Sequence, residues 1–193
     1  LRCSHTSDSG IVDMDVREFL KFPHDYRDKV FAGYRVPIEF SDTEVDISPY
    51  SLGCWLGNGN IDHDTATRIC TYNIMENQAI PNVFLCNSRE KRLQLLAGII
   101  DSDSFRHNDG YDIIQKHEWL LKDIIFLART LGFAAYASIC ESPLGTYYRT
   151  NIHGAGTELI PVKCPRKRAH ARRQIKNVLN YGIRLEKKGV GDY

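Results

Sequence analysis

The sequence has no hydrophobic run that approaches the ~18 residues of a membrane-spanning helix. Its first 30 residues also show no signal-peptide pattern, in which a basic start leads into an apolar segment and a small-residue cleavage site. These absences argue against an integral membrane protein and a secreted one. An intracellular location is therefore expected.

Paired cysteine and histidine motifs are missing as well. The six cysteines form no CxxC pair, and the seven histidines show neither HxH nor HxxxH spacing, which argues against zinc sites and a disulfide framework. His63 stands between Asp62 and Asp64 and could bind a metal ion, but a solvated loop is the favoured interpretation of this stretch. The composition fits a reducing compartment.

Acidic residues are scarce at the C-terminal end. Residues 163–193 contain ten Lys or Arg and two acids, a net charge of +8, so the rest of the chain carries −7 of the overall +1. Such a basic cluster is either a solvated face or a surface for nucleic-acid phosphates. The candidate phosphate contacts are Arg166, Lys167, Arg168, Arg172 and Arg173.

The most informative segment that is present is LQLLAGIIDSDSF, residues 93–105. Its leucines and isoleucines have helical spacing, and Ala97 and Gly98 are small enough to let another backbone approach. Asp101 and Asp103 follow at the helix end, where the helix dipole disfavours negative charge. We expect a positive group, such as a metal ion, to compensate them.

A weaker copy lies upstream, SLGCWLGNG at residues 51–59, which aligns with LAGIIDSDS at residues 96–104. Gly53 then corresponds to Gly98, and Asn58 to Asp103. Together the copies resemble the LAGLIDADG homing endonucleases with two motifs per chain. The resemblance implies an α+β fold with two central motif helices and a DNA-binding antiparallel sheet. The helix interface is expected at Gly53, Gly57, Ala97 and Gly98.

Longer blocks narrow the resemblance. Residues 82–103, 123–136 and 160–169 are similar to inteins lodged in the spliceosomal splicing factor Prp-eight, as is the tail at 189–193. This similarity implies a flanking all-β splicing (Hint) domain, an intein host protein as partner, a nuclear location and a pseudo-dimeric monomer. The chain opens with Leu1 and has no C-terminal His-Asn pair, so we do not expect splicing by this polypeptide alone.

These similarities predict three regions: a splicing-domain flank at 1–47, an endonuclease domain at 48–180 and a return into the splicing domain at 181–193. Short elements are expected in the flank, a helix Asp15–Lys21 and strands 11–14 and 34–40. Ser48 should cap the first motif helix, and Asn87 with Glu90 should form a capping box for the second.

The region after the second motif should contain four further elements and a basic helix. We expect strands at 110–116, 133–140 and 147–153, and helices at 118–131 and 169–179. Only the 29 residues 60–88 separate the motifs. A full half-domain needs about 60 at typical element lengths. The first half is therefore expected to be shortened.

The resemblance also implies the chemistry. Asp103 and Asn58 would bind Mg²⁺ (or Mn²⁺), with Asp101 as a further candidate ligand, and Lys163 or Lys167 would polarise the attacking water. Duplex DNA, the intein-less target site, would also contact the sheet at Gln115, Lys116, Tyr148 and Arg149. Because an amide cannot balance metal charge as a carboxylate does, Asn58 predicts impaired cleavage. The alternative is an inactive remnant that binds DNA or only supports the fold.

Overall fold

The computed structural model describes residues 1–5, 10–57, 61–72, 74, 78–107, 109–143, 145–171, 177–186 and 189. It is a mixed α+β structure with antiparallel sheets. The chain divides into two compact units, residues 1–35 with 179–193 and residues 36–178. Among the helices within these ranges, none has both the length and the apolar character needed to cross a membrane.

The first unit is a small sheet with two helices. Its elements are β1 (Arg2–His5), β2 (Ile11–Asp13), α1 (Val16–Lys21), α2 (His24–Val30), β3 (Phe31–Tyr34) and β8 (Asn180–Tyr181). The strand order is β2-β1-β3-β8, with antiparallel neighbours. The predicted helix at Asp15–Lys21 is confirmed, and the Asp15 carboxylate caps it by accepting a bond from Arg17 N at 2.7 Å.

The strand predicted at residues 34–40 was wrong, because β3 ends at Tyr34. Pro37 has no N–H to donate to a ladder, which disfavours a paired strand there. Residues 36–40 instead belong to the second unit, where Ile38 N donates to Thr130 O at 2.9 Å. The fully buried Arg92 donates to Ile38 O at 2.7 Å.

The second unit is inserted between neighbouring strands of the first. Tyr34 pairs with Asn180, and Arg35 N donates to Leu179 O at 2.8 Å. Both connections to residues 36–178 therefore leave the first unit side by side. An insertion at such a point leaves the strand pairing of the host unit intact.

The second unit contains five α-helices, four strands and two short 3-10 helices, Thr157–Leu159 and Pro165–Lys167, within its described ranges. In chain order, the α-helices and strands are α3 (Pro49–Leu56), α4 (His63–Thr71), α5 (Asn82–Leu85), α6 (Arg89–Asp103), β4 (Ser104–His107), β5 (Gly110–Gln115), α7 (Glu118–Thr130), β6 (Ala137–Ser142) and β7 (Gly145–Ile152). The sheet order is β4-β5-β7-β6, again antiparallel. One continuous hydrophobic core includes residues from α3 to α7 and from the sheet.

The two motif helices, α3 and α6, lie where the sequence predicts them, but only one has the predicted start. Ser48 caps α3 by accepting a bond from Ser51 N. The capping box at α6 was wrong, because Ser88 is the N-cap residue. The side chain of Asn87 instead exchanges two hydrogen bonds with the backbone of Thr43, at 2.9 and 3.0 Å.

The segment between the motifs is short and helical. Asp62 caps α4 by accepting bonds from the backbone and the hydroxyl of Thr65, at 2.8 and 2.6 Å, so the loop expected around His63 is corrected to a helix. In the described parts of residues 61–88 there are two helices and no strand. A second sheet is thus not present in those parts.

The elements after α6 follow the prediction except at β4, at the start of β6 and at the expected basic helix. Strand β5 and helix α7 are confirmed, and Gly132 ends the helix region with a φ of 93°. Strand β6 starts at Ala137 rather than Phe133, and β4 was not predicted. The centre of the predicted basic helix 169–179 lies outside the described residues, and its described flanks are not helical.

Candidate functional site

The motif helices approach each other most closely at two glycines. A Cβ on Gly53 would lie 3.0 Å from Gly98 Cα and overlap the carbonyl oxygen of Leu95, and a Cβ on Gly98 would overlap Tyr50 O. Both glycines are buried, as is Ala97 beside Gly98. Only residues without side chains permit this backbone contact.

The C-terminal ends of the two helices also meet. A Cβ on Gly57, the C-cap residue of α3, would overlap Ser102 Oγ and lie 3.1 Å from Asp103 Cβ. The structure therefore brings Asp103 to the end of α3. Asn58, the next residue in the chain, lies outside the described residues, so its approach to Asp103 stays a prediction.

Asp103 is a partly buried carboxylate. Its Oδ2 accepts a hydrogen bond from Gln115 Nε2 at 2.9 Å. Burial raises the pKa of Asp103 above its ordinary value, and the charge of Lys167 and the Gln115 bond oppose that rise. This acid therefore has a charge that its surroundings only partly compensate.

Asp101 has a different environment. Its Oδ2 accepts bonds from Lys163 N at 2.7 Å and Tyr50 Oη at 2.9 Å, and its Oδ1 accepts from Cys164 N at 3.0 Å. Protein donors therefore occupy both oxygens and give Asp101 a structural role. Its further role as a metal ligand stays a prediction.

The two candidate lysines both lie beside the motif helices. Lys163 Nζ is 3.7 Å from the centroid of the Tyr50 ring. Lys167 Nζ donates to the carbonyl oxygens of Ile100 and Asp101, each at 2.9 Å. A cation at these carbonyls is favourable because a helix C-terminus carries partial negative charge. Lys167 thus supplies positive charge that the sequence pattern led us to expect from a metal.

The described residues contain no cluster of three or more His, Cys, Asp or Glu side chains arranged to hold a metal ion. Mg²⁺ usually takes one or two protein carboxylates and completes its shell with water and substrate phosphates. Asp103 fits the part of a single carboxylate ligand. The second predicted ligand, Asn58, lies outside the described residues.

Two of the predicted DNA contacts lie on the core-facing side of the sheet. Gln115 pairs with Tyr148 across β5 and β7, on the face that also carries the buried Tyr111 and Ile113. Gln115 is 5% exposed and bound to Asp103, and Tyr148 packs against the core. A period-2 strand pattern gives the alternation of side chains but not which face turns to the core, so contact of these two residues with DNA stays a prediction.

The other predicted DNA contacts remain open to solvent to different degrees. Lys116 and Arg166 are exposed. Arg149 lies on the open face but forms a two-bond ion pair with Asp112, one of its bonds at 2.8 Å, and Arg168 Nε donates to Val162 O at 3.1 Å. Arg172 and Arg173 lie outside the described residues.

Sequence reasoning missed two residues of the site. Tyr50 donates to Asp101, and burial together with that bond raises the pKa of Tyr50. Tyr111 is fully buried, and its hydroxyl accepts a bond from Ala169 N at 3.1 Å. A tyrosine in a buried position needs a partner for its hydroxyl, which was the only available signal.

Comparison with known proteins gives limited similarity. No protein-family model matches the chain. It is 26% identical over 125 residues to the replicative DNA helicase DnaB of Mycobacterium intracellulare. That match covers 52% of this chain and 22% of the helicase, so the chain spans about a fifth of the protein it resembles.

Proposed function

We propose that the second unit, residues 36–178, contains the LAGLIDADG-type homing endonuclease domain of an intein that the sequence predicts at 48–180, and that the first unit belongs to its splicing domain. The observation that carries the proposal is the helix pair. Two helices touch at equivalent glycines, and their C-terminal ends meet at Gly57 and Asp103. That arrangement would place the eighth motif residues, Asn58 and Asp103, on either side of a scissile phosphate.

Two further observations support the proposal. The second unit is inserted between paired strands of the first, as expected for an endonuclease carried inside a splicing domain. The helicase to which the chain is partly similar is named as acting on DNA, in keeping with a DNA substrate for this chain. That helicase is bacterial and gives no support to a nuclear location.

The proposed chemistry is metal-assisted hydrolysis of a phosphodiester. A divalent cation such as Mg²⁺ or Mn²⁺ would neutralise charge on the phosphate and lower the pKa of a bound water. Asp103 would hold it through its carboxylate, and Gln115 would keep that carboxylate oriented. Lys167 binds helix carbonyls and the Lys163 ammonium lies over the Tyr50 ring, so the two lysines stay alternative candidates for polarising the attacking water.

Duplex DNA is the proposed substrate. Lys163, Arg166 and Lys116 offer exposed positive charge on the same unit as Asp103. With a short first half, the grip on DNA should be weak and poorly sequence-selective. Phosphate contacts rather than base contacts would then dominate the affinity.

Cleavage of a supercoiled plasmid carrying candidate target sites tests the proposal. We expect slow or absent nicking by this chain with Mg²⁺ or Mn²⁺, and no cleavage at all by Asp103→Asn. Asn58→Asp restores cleavage if the amide is the main defect, whereas it changes nothing if the short first half prevents DNA positioning. Metal-dependent cleavage that Asp103→Asn leaves unchanged would reject the assigned site.

The second candidate function is a non-catalytic remnant that binds DNA or supports the splicing fold. The observation in its favour is that polar groups around the helix ends already form hydrogen bonds with other parts of the protein. Asp101 and Lys167 are fixed by structural hydrogen bonds, so Asp103 stands alone as an acid for catalysis within the described part of the site. DNA binding without cleavage, even after Asn58→Asp, would favour this candidate.

A further inference from the structure

We propose that Asp101 is a positioning residue that fastens the basic segment, residues 163–168, to both motif helices and holds it ready for DNA phosphates. The role in DNA binding rests on the proposed function, whereas the fastening itself does not. The sixth motif position would then organise the DNA-contacting surface instead of binding metal.

Three donors from two other parts of the chain converge on the Asp101 carboxylate. Lys163 N and Tyr50 Oη reach Oδ2 at 2.7 and 2.9 Å, and Cys164 N reaches Oδ1 at 3.0 Å. Tyr50 belongs to the first motif helix and Asp101 to the second. We call this arrangement of Asp101, Tyr50, Lys163 N and Cys164 N the Asp101 clasp.

The clasp fixes the start of the basic segment, and two lysines continue the attachment. The Lys163 ammonium stacks on the same Tyr50 ring that donates to Asp101. Four residues on, the Lys167 ammonium binds the carbonyl oxygens of Ile100 and Asp101. Because both ends of the segment are held, the side chain between them, Arg166, projects from a defined backbone and remains exposed.

A carboxylate is required for this arrangement. Two consecutive backbone N–H groups reach separate oxygens, and an amide could offer only one oxygen and would turn its NH₂ group toward the other donor. The equivalent position of the first motif is Leu56, which is 1% exposed. The clasp therefore belongs to the second motif and organises only the half of the molecule that carries the basic segment.

Asp101→Asn in the full chain tests the clasp by amide hydrogen exchange followed with NMR. Loss of a charged acceptor should accelerate exchange of the Lys163 and Cys164 amides by roughly tenfold to a hundredfold. Their proton resonances should shift upfield together, while the amides around Gly98 keep their protection. Asp101→Glu, which keeps a carboxylate, should recover part of the protection. Tyr50→Phe, which loses a single donor, should produce a smaller acceleration and serves if Asp101→Asn fails to fold.

DNA affinity in EDTA provides the functional measurement. Asp101→Asn removes a negative charge, which on its own predicts tighter binding to DNA. The clasp predicts the opposite, weaker binding with a smaller slope of log affinity against log salt. Glu158→Gln removes an equal charge at an exposed position and serves as the control, for which equal or tighter binding is expected.

Unchanged exchange of the Lys163 and Cys164 amides in Asp101→Asn would overturn the proposal. Equal acceleration throughout α6 would also overturn it, since Asp101 would then act on general stability. If the parent chain fails to bind DNA, the proposed function fails, and amide exchange decides on the clasp by itself.

Discussion

Gly98→Ala provides the strongest test of the helix pair. By helix propensity alone the change should stabilise α6 by about 1 kcal/mol. The structure predicts the opposite sign, because the new Cβ would overlap Tyr50 O and lie 2.8 Å from Cys54 N and 3.0 Å from Gly53 Cα. These are backbone atoms, which no side-chain rotation can move away. Overpacking typically costs about 1–3 kcal/mol and sometimes more, so a net loss of about 2 kcal/mol is expected.

Urea unfolding followed by circular dichroism measures this difference. A loss of about 2 kcal/mol is a large share of the 5–15 kcal/mol typical of folded proteins. The midpoint should fall at a constant denaturant slope. Gly182→Ala is the matched control, because a Cβ there meets no atom within 4 Å. Equal or greater stability of Gly98→Ala would refute the close approach of the two backbones.

Three other variants test the acid and the cations around the ends of the motif helices. Lys167→Gln should lower the free energy of unfolding by about 1–2 kcal/mol, because a cation is lost from two helix-end carbonyls; unfolding unaffected by the change would contradict that role. Arg166→Ala should reduce the salt slope of DNA binding by about 0.9 at little cost in stability, and an unaltered slope would remove Arg166 from the phosphate contacts. Burial raises the pKa of Asp103 above 3.8, which means that the folded state favours the protonated carboxyl group. The stability that this protonated group contributes is present below pH 3.8 and is lost as the pH rises through the raised pKa. Asp103→Asn should therefore be more stable than the parent at neutral pH and equal to it in acid; the reverse trend in pH-dependent melting would show that the charged form is favoured.

Local signals in the sequence predicted much of the second unit. Ser48 before Pro49 marked the start of α3, and helical spacing of apolar residues located α6 and α7. These patterns succeed because caps and amphipathic faces depend on residues within a few positions of one another. The prediction for residues 34–40 was wrong because local patterns do not show distant partners. The residues that bind this segment, Thr130 and Arg92, are far away in sequence.

The arrangement around the acids could not be predicted locally. Asp101 finds its donors 62 and 63 residues away, and Lys167 reaches helix carbonyls 66 and 67 residues away. A sequence shows a basic cluster at this point but not which cation turns inward. Similarly, the strand pattern around Gln115 gave the alternation of side chains but not which of them turn to the core. The burial of Gln115 in the folded sheet shows that its side chain is on the core side.

The distinction between the two acids follows from their partners. Acids at a helix C-terminus need compensation, and the sequence pattern made Asp101 and Asp103 equivalent in that respect. The fold removes the equivalence: Asp101 receives three protein hydrogen bonds, whereas burial raises the pKa of Asp103 against only partial opposition from Lys167 and Gln115. A cation would consequently gain most at Asp103, which also lies against Gly57 at the end of the other motif helix. The need for positive charge is thus concentrated on the one acid at the junction of the two helices, where the proposed cleavage chemistry requires it.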